Sequence, residues 1–212
     1  MKKIAIHQPN FLPWMGFFEK ARMVDEFVFL DHVAFSKGSY TNRVRYFCKS
    51  SQTQKWLTLP IENAPIGTPI NEIKLSSSPV WESKLIQTIS QNIPSLISDE
   101  LIDVIRNRQS LFLADLNIQL IKCMLTSLSI DVKSVRSSEM KLDDTDEQEV
   151  LKIARYIEAS HYICGIGGHN YLDKGAFAQS GIKVDVEDFK QHLLRKGIVD
   201  EKKVGLTALY QM

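Results

Sequence analysis

The chain has 212 residues, of which 44% are hydrophobic and 24% are charged, and its formal net charge is +1. This length and composition are sufficient for the core of one soluble globular domain. The near-neutral charge excludes a strongly basic surface for nucleic acid and a polybasic segment for a membrane surface. No stretch approaches the roughly 20 consecutive apolar residues of a transmembrane helix, so we expect no membrane insertion.

The cysteines and the opening residues bear on the cellular compartment. Cys48, Cys123 and Cys164 are far apart and show no CxxC spacing. The chain opens without the basic, apolar and small-residue regions of a secretory signal peptide. Both features are typical of a cytoplasmic protein with reduced thiols, and this is the localisation that we expect.

The first 31 residues have the pattern of two strands around a helix. Lys3–His7 is a short, β-branched apolar run, which predicts a buried strand. Pro13 suits the first position of a helix that extends to Met23, because proline lacks the N–H that this position leaves unpaired. A second apolar run at residues 27–30 predicts another buried strand, which ends at Asp31.

The next segment alternates apolar and polar residues as hairpins do. Residues 44–48 and 56–60 are two such runs, separated by a polar break at residues 50–54. This arrangement predicts an antiparallel hairpin. Residues 70–75 predict one more short strand.

The middle of the chain changes to helical periodicity. Residues 81–93 and 98–107 predict two helices, and a stripe of leucine and isoleucine over residues 111–128 predicts a strongly amphipathic third one. We therefore expect a helical insertion at residues 81–128.

Strands and helices alternate again after the insertion. Residues 130–135 predict a strand, and Thr145 with Gln148 has capping-box spacing before the next helix. A strand, a turn-rich loop, a short helix and a final strand follow at residues 162–164, 165–170, 172–179 and 182–186. The whole pattern predicts a single α/β domain over residues 1–212, with a mainly parallel mixed sheet, an antiparallel hairpin and the helical insertion.

Candidate ligand groups follow the predicted strands. Ligands of open α/β sheets bind beyond the carboxyl ends of the strands, where the sequence places His7, Asp31 and the loop at residues 165–170. His7 is the candidate general base because its unperturbed pKa is near neutrality, although a buried histidine bonded to a carbonyl fits the sequence equally well. Gln8 and Asn10 can orient a ligand or close the turn.

Two further segments could hold phosphate. Arg43 offers a planar guanidinium suited to phosphate or carboxylate, although an exposed hairpin arginine is more often simply solvated. The loop after the predicted strand at residues 162–164 offers backbone N–H groups and polar side chains at Gly165, Gly167, Gly168, His169 and Asn170. This loop lacks the GxGxxG and GxxxxGK[ST] patterns, so an ordinary turn is the default interpretation.

Other chemistries find no support in the sequence. The five histidines show neither HExxH spacing nor a paired-cysteine context, so we expect no metal site. No GxSxG motif is present, and the acidic residues at 143–149 are typical of a helix start. Trp56 and Trp81 could each stack on a base or a sugar, but packing into the core or the hairpin is the interpretation that we favour for both.

The chain resembles the WbqC-like family, whose members occur in gene clusters for bacterial surface polysaccharides such as the O-antigen of lipopolysaccharide. The motifs that carry the resemblance are residues 7–14 with Gly16 and Phe17, Asp31, Tyr40 with Asn42 and Arg43, residues 56–60 and residues 162–171. The resemblance covers most of the chain and is weak across the middle helices. Near the C-terminus, where the family tends to have Leu-Ser-x-x-Asp-Leu-Leu-Phe, residues 205–212 lack the aspartate.

The resemblance implies a transferase that attaches an acyl or aminoacyl group, glycine in one version, to the amine of a nucleotide-linked amino sugar. On this basis His7 would deprotonate the sugar ammonium, while Gln8, Asn10 and Asn42 would orient the sugar. Arg43 and the glycine loop would hold the diphosphate. The motifs imply three more substrate contacts, at Trp14, Asp31 and Tyr40.

The resemblance leaves the acyl donor open among acyl-CoA, aminoacyl-tRNA and an ATP-activated acid, and we expect no resident cofactor. The near-neutral charge disfavours extensive contacts with tRNA or other nucleic acid. The expected partner is the nucleotide-linked sugar, and association into a homo-oligomer is left open.

Two alternative functions belong to other classes. The first is a non-catalytic protein for sugar-nucleotide binding or assembly. The second is a degenerate HIGH-type nucleotidyltransferase, because Phe11-x-Pro13-x-x-Gly16 after a first strand is similar to the turn of that family. The positions of its two histidines are Trp14 and Phe17 here, so adenylyl transfer is disfavoured.

Overall fold

The computed structural model describes residues 1–78, 80–142 and 148–197. The described chain forms seven strands: β1 (Lys3–His7), β2 (Glu26–Phe29), β3 (Arg43–Cys48), β4 (Thr53–Thr58), β5 (Lys133–Arg136), β6 (His161–Gly165) and β7 (Lys183–Glu187). Its helices are α1 (Met15–Arg22), α2 (Val80–Asn92), α3 (Asp99–Arg106), α4 (Leu113–Ser127), α5 (Glu149–Tyr156), α6 (Ile166–His169), α7 (Lys174–Gln179) and α8 (Phe189–Arg195). None of the described helices is long and apolar enough to cross a membrane.

Five strands form a parallel sheet in the order β5-β2-β1-β6-β7. The chain builds one half outward from β1 through β2 to β5 and then returns to place β6 and β7 on the other side of β1. The order therefore reverses between β1 and β6, which is the topological switch point of a doubly wound sheet. The predicted α/β class is confirmed, and the switch point is where sheets of this kind generally bind ligands.

The antiparallel hairpin of β3 and β4 is also confirmed, but the two strands form a sheet of their own. The strand predicted at residues 70–75 is wrong, because Ile70–Glu72 is a 3-10 helix and only isolated bridges follow it. Ile70 and Ile73 are both fully buried. Residues three positions apart share one face of a 3-10 turn, whereas a strand would point them to opposite sides.

The helical insertion is confirmed as α2, α3 and α4. The start predicted for α1 is early, because Trp14 is its N-cap and Pro13 precedes the cap. The capping box with Thr145 and the C-terminal residues 205–212 lie outside the described residues. Gln148 instead uses its side-chain amide to join the start of α5 to Tyr171 and Asp173.

Two hydrophobic clusters cover the two faces of the parallel sheet. On β1, Ala5 belongs to the cluster that contains the phenylalanines of α1 and the leucines of α4, whereas Ile4 and Ile6 belong to the cluster under α5 and α7. This alternation follows the two-residue period of a strand. Because His7 is two residues after Ala5, it lies on the α1 side of the sheet, where it contacts Phe17.

A buried polar network joins the carboxyl ends of β2 and β5. The fully buried carboxylate of Asp31 accepts hydrogen bonds from Arg136 Nε (2.7 Å), Ser137 Oγ (3.1 Å), Ser138 N (2.9 Å) and Ser138 Oγ (2.8 Å). Arg136 also binds Asp115 of α4. These contacts give Asp31 a structural role, and the substrate contact that the resemblance implies for Asp31 stays a prediction.

We predict that Asp31→Ala lowers the free energy of unfolding by about 2–4 kcal/mol, because two serine side chains and a guanidinium lose a buried partner. Urea denaturation followed by circular dichroism measures this change. The matched control is Asp131→Ala at an exposed position, which we expect to stay within about 0.5 kcal/mol of the parent protein. Equal stability of the two variants would show that the network does not hold the sheet together.

Candidate functional site

The switch point brings His7 and Gly165 to the same edge of the sheet. In the β1–β6 pair, Lys3 lies opposite His161 and Ile4 lies opposite Tyr162, and this register places His7 level with Gly165. The sequence prediction that these two strand ends share an edge agrees with this register. The segment after Gly165 is the short helix α6, however, and not the turn-rich loop that the glycines predicted.

His7 is held in one tautomer by its own backbone neighbour. The distance from Nδ1 to the carbonyl oxygen of Gln8 is 2.9 Å, and a carbonyl can only accept, so Nδ1 carries the proton. Nε2 is therefore the hydrogen-bond acceptor of the ring. Burial and the positive charge of Lys20 lower the pKa of His7 to about 3, which keeps the imidazole neutral at physiological pH.

The loop after β1 is tied to the segment that leads into the hairpin. Phe11 N donates to the carbonyl of Tyr40 (2.9 Å), and the Thr41 hydroxyl donates to the side-chain oxygen of Gln8 (3.4 Å). Asn117 of α4 is fully buried, and its Nδ2 donates both to Pro9 O (2.8 Å) and to Thr41 O (2.7 Å). These bonds bring the predicted site residues on the two segments together.

The same loop contains a strained residue. Leu12 is buried and has a φ of 44°, in the left-handed region that bulky side chains rarely adopt. Such a conformation costs on the order of 1–3 kcal/mol and persists only where surrounding contacts fix it. Strained backbone of this kind clusters at functional sites, which supports a functional role for the loop.

The hairpin presents an aromatic and cationic surface beside this loop. The guanidinium carbon of Arg43 lies 4.1 Å from the ring centroid of Trp56, and that of Arg45 lies 4.8 Å from it. Tyr40 approaches the same indole with a centroid distance of 5.7 Å, and both aromatic side chains are 39% exposed. Of the two kinds of packing that the sequence analysis favoured for Trp56, core or hairpin, the structure shows packing on the hairpin.

Two buried polar atoms at this surface have no hydrogen-bond partner in the described chain. They are Oδ1 of Asn42 and Nε of Arg43. The Asn42 amide otherwise makes one long bond, 3.4 Å, from Nδ2 to the carbonyl of Leu59. Elsewhere in the described chain, one such unpaired atom is found in each of Asn71, Arg108 and Asn117. Unsatisfied buried polar groups are uncommon in folded proteins, so those of Asn42 and Arg43, which lie beside the loop after His7, are compatible with ligand contacts.

Lys20 is a charged group of the crevice that the sequence analysis missed. Its side chain is only 7% exposed, and its ammonium lies 5.7 Å from the ring centroid of Phe189. Burial lowers the pKa of Lys20 to about 8, and the same charge acts on His7. The available signal was helical spacing, because Lys20 is three residues after Phe17 and so shares the face that meets His7.

The remaining predicted residues are distributed around the same edge. Asn10 and Trp14 are half-buried in the first loop. In and after α6, Gly167, Gly168 and Asn170 are exposed and His169 is half-buried. An added Cβ at Gly167 would meet no atom within 4 Å, so this position is open to an approaching ligand.

The two larger of three clefts found elsewhere on the described chain lie beside charged residues. One, of about 600 Å³, is lined by Phe35, Lys37 and residues 61–66. The other, of about 330 Å³, lies beside Asp115 and Arg136. Neither lining includes His7 or Lys20. Among residues 1–78, 80–142 and 148–197, no three His, Cys, Asp or Glu side chains come together as metal ligands would.

Comparison with known proteins gives the chain a family. The profile of the WbqC-like protein family matches residues 8–195. The chain belongs to the WbqC-like family. It is 27% identical over 195 residues to the uncharacterized protein Rv1507c of Mycobacterium tuberculosis, an alignment that covers 89% of this chain and 83% of that protein. No solved structure is significantly similar to the chain.

Two glycines of this WbqC-like protein form a matched pair for testing the geometry of the first loop. An added Cβ at Gly16 would lie 2.4 Å from the Trp14 ring, whereas Gly167 has open space. We predict that Gly16→Ala displaces the indole and lowers stability by about 1–3 kcal/mol, and that Gly167→Ala is neutral or slightly stabilising. Near-ultraviolet circular dichroism and thermal unfolding measure both effects. An unchanged tryptophan signal in Gly16→Ala would contradict the close packing.

Proposed function

We propose that this protein transfers an acyl or aminoacyl group to the amine of a nucleotide-linked amino sugar in the synthesis of a bacterial surface polysaccharide. The observation that carries the proposal is the position of His7, whose free Nε2 acceptor lies at the switch point of a doubly wound sheet. Sheets of this order bind nucleotides beyond the carboxyl ends of the strands at that point. The choice of acyl transfer follows what the resemblance to the WbqC-like family implies, and the chain belongs to that family.

The groups around His7 suit the parts of such a substrate. Tyr40 and Trp56, each 39% exposed, are proposed to pack against the base, and base stacking on aromatic rings contributes about 1–3 kcal/mol per base. Arg43 offers a guanidinium for phosphate oxygens. The unpaired Oδ1 of Asn42 can accept from a sugar hydroxyl. Gln8 and Asn10 are proposed to orient the sugar. Trp14 is proposed to line the crevice.

The glycine segment is proposed to line the other side of the crevice. Gly165 ends β6, and an added Cβ there would lie 3.7 Å from the Phe189 ring. The exposed backbone of Gly167 and Gly168 leaves room for a sugar or a phosphate group, and His169 and Asn170 add donors at the rim. In this arrangement the substrate lies between the first loop and α6.

The reaction requires one nucleophilic attack and one proton transfer. The amine nitrogen of the sugar attacks the acyl carbonyl carbon, a C–N bond forms, and the bond from that carbon to the leaving group of the donor breaks. The amine proton passes to Nε2 of His7 and then to solvent. Because the pKa of His7 is about 3, His7 does not deprotonate the sugar ammonium beforehand, and the sugar attacks as the neutral amine. The transfer to Nε2 becomes favourable as the bond to the leaving group breaks, because the nitrogen then becomes that of an N-protonated amide, which is a much stronger acid than the imidazolium.

The low pKa of His7 also favours a second candidate, a protein that binds the sugar nucleotide without catalysis. In that case Nε2 only accepts a hydrogen bond from the substrate. The two candidates differ in one respect that is easy to measure. A transferase consumes an activated acyl donor when the sugar nucleotide is present, whereas a binding protein saturates without turnover.

The decisive assay combines a panel of nucleotide-linked amino sugars with acyl-CoA, aminoacyl-tRNA and ATP plus free acid. Once a pair reacts, we predict that His7→Ala lowers kcat by about 10²- to 10⁴-fold with little change in KM. Arg43→Ala should instead raise KM by about 10- to 100-fold, because a charge-assisted bond to the substrate is lost.

The controls are His161→Gln, at the opposite end of β6, and Arg106→Ala, at an exposed position of α3. Both should retain the parent kinetics. Full activity in folded His7→Ala would remove His7 from the reaction. Saturable binding without turnover across the whole panel would favour the binding protein.

A further inference from the structure

Lys20 is a buried cation that the described chain leaves without an opposite charge. Every residue from Met15 to Ala21 is buried, so this part of the helix has no solvent-exposed face along which the Lys20 side chain could extend. Its ammonium makes neither a hydrogen bond nor an ion pair with any described residue, and it lies 5.7 Å from the centroid of the Phe189 ring. A cation over an aromatic face is only partly compensated for the loss of water.

The adjacent residue shows how this protein satisfies a buried charge when the charge serves stability. Glu19 is 3% exposed and is paired with Arg22 (3.3 Å), His192 (3.1 Å) and Lys196 (2.8 Å). Three partners thus surround this carboxylate, and none of them is Lys20. The contrast indicates that the Lys20 ammonium is not part of a structural ion pair.

The surroundings of Lys20 place its charge in the switch-point crevice. The Phe189 ring, 5.7 Å from the ammonium, also lies beside the end of β6, because an added Cβ at Gly165 would be 3.7 Å from it. Phe17, three residues before Lys20 on α1, contacts the ring of His7 at the end of β1.

The titratable groups whose charges interact with Lys20 are His7 and Cys164. His7 is neutral and the burial of Cys164 raises the pKa of its thiol, so neither supplies a negative charge at neutral pH. An anion is therefore the chemical group that this crevice lacks.

We propose that Lys20 is the anion-binding residue of the crevice and that its ammonium contacts a phosphate oxygen of a diphosphate-containing ligand. The inference rests on the proposed function for the choice of a sugar-linked diphosphate over other anions. Lys20 would then hold the diphosphate beside His7, while Arg43 contacts it from the hairpin side. A buried lysine without a partner destabilises the folded protein. A ligand that supplies the opposite charge should therefore raise the free energy of unfolding when it binds.

The proposal couples ligand binding to the protonation of His7. The charge of Lys20 is the second cause of the low pKa of His7, after burial. A phosphate oxygen beside Lys20 opposes that charge, so binding raises the pKa of Lys20 and that of His7 together. Substrate binding would in this way move the pKa of His7 towards neutrality, where His7 is a more effective general base.

The test measures binding and stability and does not depend on acyl transfer. Isothermal titration calorimetry at neutral pH uses four probes: inorganic pyrophosphate, a nucleoside diphosphate, the matching nucleoside and malonate. We expect the two diphosphates to bind the parent protein, and the nucleoside and malonate to bind at least about 10-fold more weakly. Lys20→Met should lower the affinity for both diphosphates by about 30-fold or more, and Lys20→Arg should lower this affinity less.

A second readout uses the ligand-free protein. Lys20→Met should raise the melting temperature by several degrees, because it replaces an unpaired buried charge with an apolar chain of similar length. The control is Lys190→Met, an exposed lysine of α8 one residue after Phe189, which should leave both affinity and melting temperature unchanged. If Lys20→Met does not fold, the parent protein still gives an answer through the ¹³Cε shift of Lys20, whose pKa of about 8 should rise on addition of pyrophosphate.

The outcomes separate this inference from the proposed function. Diphosphate affinity that is lost in Lys20→Met but not in Lys190→Met supports the inference, even if no acyl transfer is found. Unchanged affinity in Lys20→Met overturns it, even if the protein proves to be a transferase. Failure of the parent protein to bind any diphosphate, equal binding of malonate, or an unchanged pKa of Lys20 also overturns it.

Discussion

The candidate site depends on one buried side chain, the amide of Asn117. It projects from α4, in the helical insertion, and donates one hydrogen bond to Pro9 O and one to Thr41 O. Through these two bonds the insertion fixes the loop after β1 against the segment before the hairpin. Together with the bond from Phe11 N to Tyr40 O, these contacts hold Arg43 beside the loop that follows His7, and the strained Leu12 lies within this fixed loop.

The charges around α1 divide into a structural set and a functional set. Glu19 lies on the side of α1 that meets α8, where His192 and Lys196 neutralise it. Lys20 lies beside the strand ends, and we propose that an anionic ligand neutralises its charge. Because Lys20 also lowers the pKa of His7, a bound anion that opposes the charge of Lys20 would raise the pKa of His7.

The sequence predicted the parallel strands well because short runs buried on both faces leave a clear apolar signal, and β1 was predicted at the residues that the structure shows. The 3-10 turn at Ile70 was missed because periods of two and three cannot be distinguished over so few residues. Asn117 and Lys20 were missed for another reason. A single polar residue within an apolar helix reads as a solvated exception, and only the tertiary structure shows what it faces.

The most direct test of this account is a crystal structure of the protein with a bound nucleotide-linked amino sugar, chosen by calorimetry. The account predicts a diphosphate within hydrogen-bonding distance of Lys20 Nζ, a base against Trp56 and a sugar amine beside Nε2 of His7. The contradictory result is a ligand seated elsewhere, for example in the cleft lined by Phe35, Lys37 and residues 61–66, with the crevice between β1 and β6 unoccupied.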